Sequence, residues 1–217
     1  MKVKLFRTPI YFPWFFPRRR WGFSSDSNSV FLTFDDGPTS ELTGWILDFL
    51  REKDVKATFF CVGENAKAHP ELMNRMVDEG HAIGNHTMQH EKGTKVSKAD
   101  YLNSIEEASQ YIDSTLFRPP YGRLPMTFGR DICRDYTIVM WSWLSYDYDP
   151  SVPIEKVLDQ ADRIKAGDVL VVHDNVKVQD RIKVLLPALV DKIREKELNF
   201  AVISACRQEQ LSMVPHT

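Results

Sequence analysis

From residue 29 to residue 203, short apolar runs alternate with amphipathic stretches, and most of the runs end in residues able to do chemistry. The runs lie near 29–35, 57–62, 81–85, 115–118, 136–141, 168–173 and 199–203. The amphipathic stretches lie near 40–53, 70–79, 97–113, 125–134, 153–164 and 180–196. Branched apolar runs such as Val169-Leu170-Val171-Val172 suit strands buried on both faces. Strands alternating with helices predict a parallel sheet covered by helices. A chain of 217 residues is expected to form one domain with a substantial core. Pro70 is expected in a first helical turn, and Ser97 with Asp100 resembles a capping box with Asp in place of Glu. Polar residues gathered at the carboxyl ends of strands lie where βα barrels assemble their sites.

Five pieces carry the chemistry. The first is Thr33-Phe34-Asp35-Asp36-Gly37-Pro38, which closes the run from Val30. At a bending strand end two adjacent carboxylates can reach one pocket from different directions, so that one holds a metal while the other moves protons. The same residues also suit an ordinary surface turn. The second is His86-Thr87-Met88-Gln89-His90. On a helical turn its two imidazoles share a face, and with Asp36 they offer three ligands and leave room for water. His81, five residues earlier, reads as structural or exposed. The third is Arg118-Pro119-Pro120-Tyr121-Gly122, a stiffened loop able to hold a guanidinium against Asp35. The fourth, Trp141 to Asp149, is aromatic and acidic, which suits sugar faces and hydroxyls or a plain core edge. The fifth runs into His173 at a strand terminus, a natural place for a general acid.

In this order and spacing the five pieces resemble the polysaccharide deacetylases of carbohydrate esterase family 4, over about Val30 to Ile203. The resemblance implies a distorted seven-stranded (β/α) barrel and a hydrolase that removes N-acetyl groups from an amino-sugar substrate. It implies Asp35 as general base, Asp36, His86 and His90 as metal ligands, and Arg118 as the residue tethering the base. It implies also that the Tyr121 backbone N–H helps hold the oxyanion and that His173 acts as general acid. The family usually carries Asp-x-x-Asp-Trp in the fourth piece. Here the matching positions are Leu144, Asp147 and Tyr148, so Asp147 is left to orient His173 beside an altered groove wall. Val171 stands where a leucine usually lines the pocket for the acetyl methyl. Two nitrogens and a carboxylate oxygen suit one divalent ion, zinc first, with cobalt, nickel, iron or manganese also compatible. Two other functions fit less of the pattern: an esterase or amidase acting on a non-carbohydrate or O-acetylated substrate, and a catalytically silent carbohydrate-binding relative.

A formal net charge of −2 argues against broad nucleic-acid binding. Cys61, Cys133 and Cys206 show no metal-site spacing; buried thiols in a reducing compartment are the simplest reading. Residues 1–25 hold six basic side chains, no acidic one, eight aromatic rings and three prolines. Their apolar run is far below the roughly 20 residues that cross a bilayer, and the pattern of a secretory signal is absent. Residues 1–28 are therefore expected to pack their aromatics on the catalytic domain, 29–217, with weak membrane-surface contact through 1–25 as the alternative. A cytoplasmic location is the expectation.

Overall fold

The computed structural model describes residues 4–24 and 28–204. The first elements are α1 (Phe12–Phe15), β1 (Arg19–Arg20), β2 (Ser29–Asp35), α2 (Ser40–Glu52), β3 (Thr58–Cys61), α3 (Gly63–Ala68), α4 (Pro70–Asp78) and β4 (Ala82–Asn85). There follow α5 (Lys98–Ser109), β5 (Leu116–Phe117), α6 (Met126–Ile132), β6 (Thr137–Val139) and β7 (Trp143–Leu144). The last are α7 (Ile154–Ala161), β8 (Val169–His173), α8 (Gln179–Glu195) and β9 (Asn199–Phe200). The strands join in the order β1-β6-β5-β4-β3-β2-β8-β7, with β9 also paired to β2. Every strand pair is parallel. The expected (β/α) barrel is thus present as a curled parallel sheet with helices on it. Its described strands number nine rather than seven. The additions, β1 and β7, are two residues long and lie where no apolar run of strand length marks them.

Alternation along β2 sets up the site. Val30, Leu32 and Phe34 join the large core, with Leu42, Ile46 and Leu50 of α2 and Leu185 and Leu189 of α8. Phe31 faces the other way and packs with the cluster of Phe60, Leu116, Val139, Val169 and Ile203. Thr33 and Asp35 share Phe31's side of the sheet. Because β2 and β8 run in register, Thr33 lies beside Val171 and Asp35 beside His173. The inner face therefore grades from apolar below to ionisable at the carboxyl edge. Six apolar side chains of α8, from Ile182 to Ile193, are fully buried against the outer face. Burial of each contributes roughly 1.5–3 kcal/mol toward clamping β2 and β8.

Local signals held where they were chemical. Pro70 opens α4, and Ser97 caps α5, its hydroxyl accepting from Asp100 N–H at 3.2 Å. Helix α3 went unexpected because Gly63-Glu-Asn-Ala-Lys-Ala buries only Gly63 and Ala66, too little to show a periodic face. Cys61 is buried and unbridged, Cys133 is half-buried, and Cys206 lies outside the described residues.

The N-terminal residues run along the sheet. Arg19 and Arg20 pair with Ile138 and Val139. Met140 N–H donates to Arg20 O at 2.7 Å, and Phe23 N–H donates to Gly167 O at 3.0 Å, so residues 19–23 pass from β6 to the start of β8. Phe6 is buried, and Arg7 donates twice to the Asp168 carboxylate, at 2.7 and 2.8 Å.

Candidate active site

At the end of β2 the chain reverses its facing within one residue. Asp36 takes a φ of 81°, a left-handed conformation that costs a non-glycine residue roughly 1–3 kcal/mol. Gly37 follows because a Cβ there would collide with the Asp174 carboxylate. Asp35 stays on the inner face while Asp36 swings toward the loop after β4. There its Oδ1 lies 3.1 Å from His90 Nε2 and 3.7 Å from His86 Nε2. One ligand atom from each of Asp36, His86 and His90 falls within a mutual 4.8 Å, a spacing fit for a single ion.

The segment carrying the two histidines is a loop and not the helical turn its spacing suggested. Thr87 (φ 66°) and His90 (φ 59°) are left-handed, which no α-helix tolerates. The loop is held by Asn85, whose side-chain oxygen accepts Thr87 N–H at 2.9 Å, and by Ser104, whose hydroxyl accepts Met88 N–H at 2.8 Å. The imidazoles still come together, with ring centroids 5.1 Å apart. His86 is buried and its Nδ1 sits 2.7 Å from Arg118 O. A carbonyl can only accept, so Nδ1 carries the proton and Nε2 keeps its lone pair toward Asp36. Burial, more than any neighbouring charge, lowers the His86 pKa to about 4, which keeps the ring neutral and ligating. Burial opposes ionisation of Asp36, but its hydrogen bond to His90 and the surrounding imidazoles outweigh it and hold the carboxyl well below its usual range. The donor set fits a divalent cation of the zinc type. His81 is buried, its Nδ1 accepting Ala57 N–H at 3.1 Å, and so belongs to the core and not to this cluster.

Arg118 is fully buried at the end of β5. Its Nη1 donates to Asp35 Oδ1 at 2.6 Å and to Thr33 Oγ1 at 2.7 Å; Nη2 and Nε reach Met140 O (3.0 Å) and Val139 O (3.3 Å). Its guanidinium also lies 4.0 Å from the Phe60 ring centroid. Burial lowers the Arg118 pKa and Asp35 offsets this, leaving a charge whose donors are distributed among four acceptors. Beyond it, Pro120 to Gly122 form a tight turn in which Tyr121 is left-handed (φ 59°). The turn's closing bonds use Gly122 N–H and Arg123 N–H, on Pro119 O and Pro120 O. Tyr121's ring lies 4.6 Å from His90.

On the opposite side, Asp147 is fully buried and serves one neighbour with both oxygens. His173 Nδ1 lies 2.7 Å from Oδ1, and His173 N–H donates to Oδ2 at 2.7 Å. Burial would lower the His173 pKa, but the charge and hydrogen bond of Asp147, with Asp36 and Asp35 behind, raise it to about 9. Tyr148 stands half-exposed with its ring edge-on to His173 at 5.0 Å. Leu144 is half-buried in β7, paired with the buried Val171. Val171 lies one inward position below His173.

Four residues were missed as supports: Asn175, Asn65, Ser145 and Asp174. Asn175 donates from Nδ2 to Asp36 Oδ2 at 2.7 Å, and Asn65 donates to Asp36 O at 2.7 Å. Ser145, buried, donates to Asp147 Oδ1 at 2.9 Å. Asp174 accepts from Thr43 (2.6 Å) and Thr39 (3.1 Å), while its N–H donates to Asp35 O at 2.8 Å. Burial lifts the Asp174 pKa to about 7. Asn175 and Asp174 adjoin His173 in the chain, which was the available clue.

Known proteins share this fold. A family description, polysaccharide deacetylase, matches residues 24–141. A peptidoglycan-N-acetylglucosamine deacetylase of Bacillus cereus is 29% identical over 192 residues, covering 85% of this chain and 90% of the relative. A chitooligosaccharide deacetylase of Bradyrhizobium sp. (strain ANU 289) is 40% identical over 119 residues, covering 52% of this chain and 54% of the relative. A crystal structure of a peptidoglycan N-acetylglucosamine deacetylase in complex with an N-oxidanyl-benzamide superposes with a TM-score of 0.81 at 29% identity, over 90% of this chain and 95% of the other. The chain belongs to the polysaccharide deacetylase family.

Proposed function

We propose that this chain removes N-acetyl groups from an N-acetylglucosamine-containing glycan, with one divalent cation, zinc first, held by Asp36, His86 and His90. The observation that carries the reading is the joining, within one rim, of the Asp36–His86–His90 cluster, the Asp35–Arg118 pair and the Asp147–His173 pair. A cation held by these three residues would polarise an amide carbonyl and acidify water. Asp35, on the inner face and held by Arg118, takes a proton from the attacking water. Tyr121 N–H is the nearby backbone donor for the negative charge that develops on the carbonyl oxygen. His173, kept protonated by Asp147, passes its proton to the departing nitrogen, without which an amine is a poor leaving group. Val171 lies below these groups as a floor for the acetyl methyl, and Tyr148 shields His173 on the open side.

The relatives' names supply the substrate class: peptidoglycan N-acetylglucosamine for one and chitooligosaccharide for another. The test is acetate release from N-acetylglucosamine oligomers and from peptidoglycan, by the chelated protein and after zinc, cobalt, nickel, iron or manganese is restored. Metal-dependent release from either glycan supports the reading. Turnover of O-acetyl esters alone, with every N-acetyl glycan inert, overturns it.

A further inference from the structure

The aromatic residues of the N-terminal segment divide into two sets. Phe6 is buried, and Phe12 and Phe16 gather round Trp21 at centroid distances of 5.5 and 6.2 Å. Arg19, itself buried, lies over the Phe16 ring. Thr8 fastens the segment's near end to the sheet, donating from N–H to Ser142 O at 2.9 Å and from Oγ1 to Trp141 O at 2.7 Å. Between these anchors the second set is turned outward. Ile10 is 86% exposed, Trp14 80% and Phe15 65%, with Tyr11 about half-exposed. Helix α1 buries none of its residues. A protein rarely holds four large apolar side chains in solvent over six residues unless they meet something.

The charges beside the tip select what that is. No acidic residue occurs in residues 1–25. Arg18 and Arg20, both exposed, make no ion pair among the described residues. Arg18 also lines a surface groove of about 400 Å³ with Lys98, Arg130, Arg134, Met126 and Asp131. Asp131, the only carboxylate lining that groove among the described residues, is already shared by Lys98 and Arg134. The tip offers Ile10 and Phe15, which have no hydrogen-bonding atoms, and lacks the carboxylates and amides that would grip sugar hydroxyls. Trp14 and Tyr11 are the two side chains most at home between water and hydrocarbon. Among the described residues no helix is long and apolar enough to cross a membrane.

We propose that residues 10–20 form a docking tip for an anionic bilayer surface. Ile10, Trp14 and Phe15 enter the headgroup–acyl boundary, and Arg18 and Arg20 meet the lipid phosphates. Two such signals together give reversible attachment where either alone is marginal. The inference does not rest on the deacetylase reading.

The experiment is co-sedimentation of the full chain with vesicles of phosphatidylcholine alone and with phosphatidylglycerol added. Strong binding only to the phosphatidylglycerol vesicles, weakened by salt, is expected. The double variant Trp14→Ser/Phe15→Ser should lose about tenfold or more in partitioning, and Arg18→Glu about fivefold or more. Both should keep the parent's circular dichroism spectrum, since none of the three side chains is buried. Failure of the unmodified chain to sediment with phosphatidylglycerol vesicles overturns the proposal, as does undiminished binding by Trp14→Ser/Phe15→Ser. So does concentration-dependent self-association abolished by the same double variant, which would give the tip to a second copy. Binding of soluble chitooligosaccharide that depends on Trp14 would give it to sugar.

Discussion

Both oxygens of the Asp147 carboxylate bond His173, Oδ1 at the ring Nδ1 and Oδ2 at the backbone N–H, each at 2.7 Å, and Oδ1 also accepts from the Ser145 hydroxyl at 2.9 Å. With Oδ2 holding the backbone N–H and Oδ1 holding the ring, Nδ1 is committed to Asp147 and Nε2 is the ring atom left for chemistry. The pairing also raises the ring's pKa to about 9.

A pH dependence follows directly. A raised histidine pKa means the proton is present below about 9 and lost as the pH climbs through it. The alkaline limb of kcat should therefore fall near pH 9. Asp147→Asn should move that limb downward, toward ordinary histidine, and reduce kcat at neutral pH by roughly 100-fold. The same linkage contributes to folding stability fully below about 6.5 and disappears as the pH rises through about 9. A pH–rate series on the parent and the variant checks this; coincident alkaline limbs would remove Asp147 from the role.

Asp35 and Arg118 separate chemistry from stability. Asp35→Asn keeps an oxygen for Arg118 and leaves its bonds to Thr33, Val139 and Met140, so the fold and the metal cluster should persist. Turnover should drop by roughly 100- to 10,000-fold. Arg118→Met should instead unfold the protein more easily, by roughly 3–5 kcal/mol, because it leaves a buried carboxylate unpaired. Metal content, acetate release and urea titration of both variants distinguish the two effects. Full turnover by Asp35→Asn would end its assignment as base.

His86 is the buried member of the cluster, with its Nδ1 committed to Arg118 O. His86→Ala should bind less metal at any given free concentration, measured by elemental analysis after dialysis. A full equivalent retained in the purified variant would argue that Asp36 and His90 suffice.

Much of this was legible because the chemistry is nearly linear. Asp35 and Asp36 are neighbours, His86 and His90 share one loop, and each piece closes a strand whose apolar run is plain in the sequence. The parts that did not show depend on through-space partners. The His86–His90 spacing looked helical, yet Thr87 and His90 are left-handed because Asn85 and Ser104 capture the loop's N–H groups. Asn65 reaches Asp36 from α3, a helix too polar to announce itself. The strands β1 and β7 exist through pairing with longer neighbours, and no local propensity marks two residues as a strand.

Asn175 is the most informative of the unread residues. Its Nδ2 occupies Asp36 Oδ2, which fixes the carboxylate so that Oδ1 faces the two imidazoles. Its oxygen meanwhile accepts Lys177 N–H at 3.0 Å and starts the turn Val176–Val178. Asn175→Ala removes both functions, whereas Asn175→Ser keeps an acceptor able to cap the turn and loses the amide donor. Outer partners of metal ligands are typically worth 10- to 100-fold in affinity. Both variants should therefore show metal binding weakened by about that factor in competition with a chromogenic chelator, with the serine variant keeping the parent's thermal stability. If the serine variant binds metal as the parent does, the amide–carboxylate bond has no part in shaping the cluster, and Asn175 is only a cap.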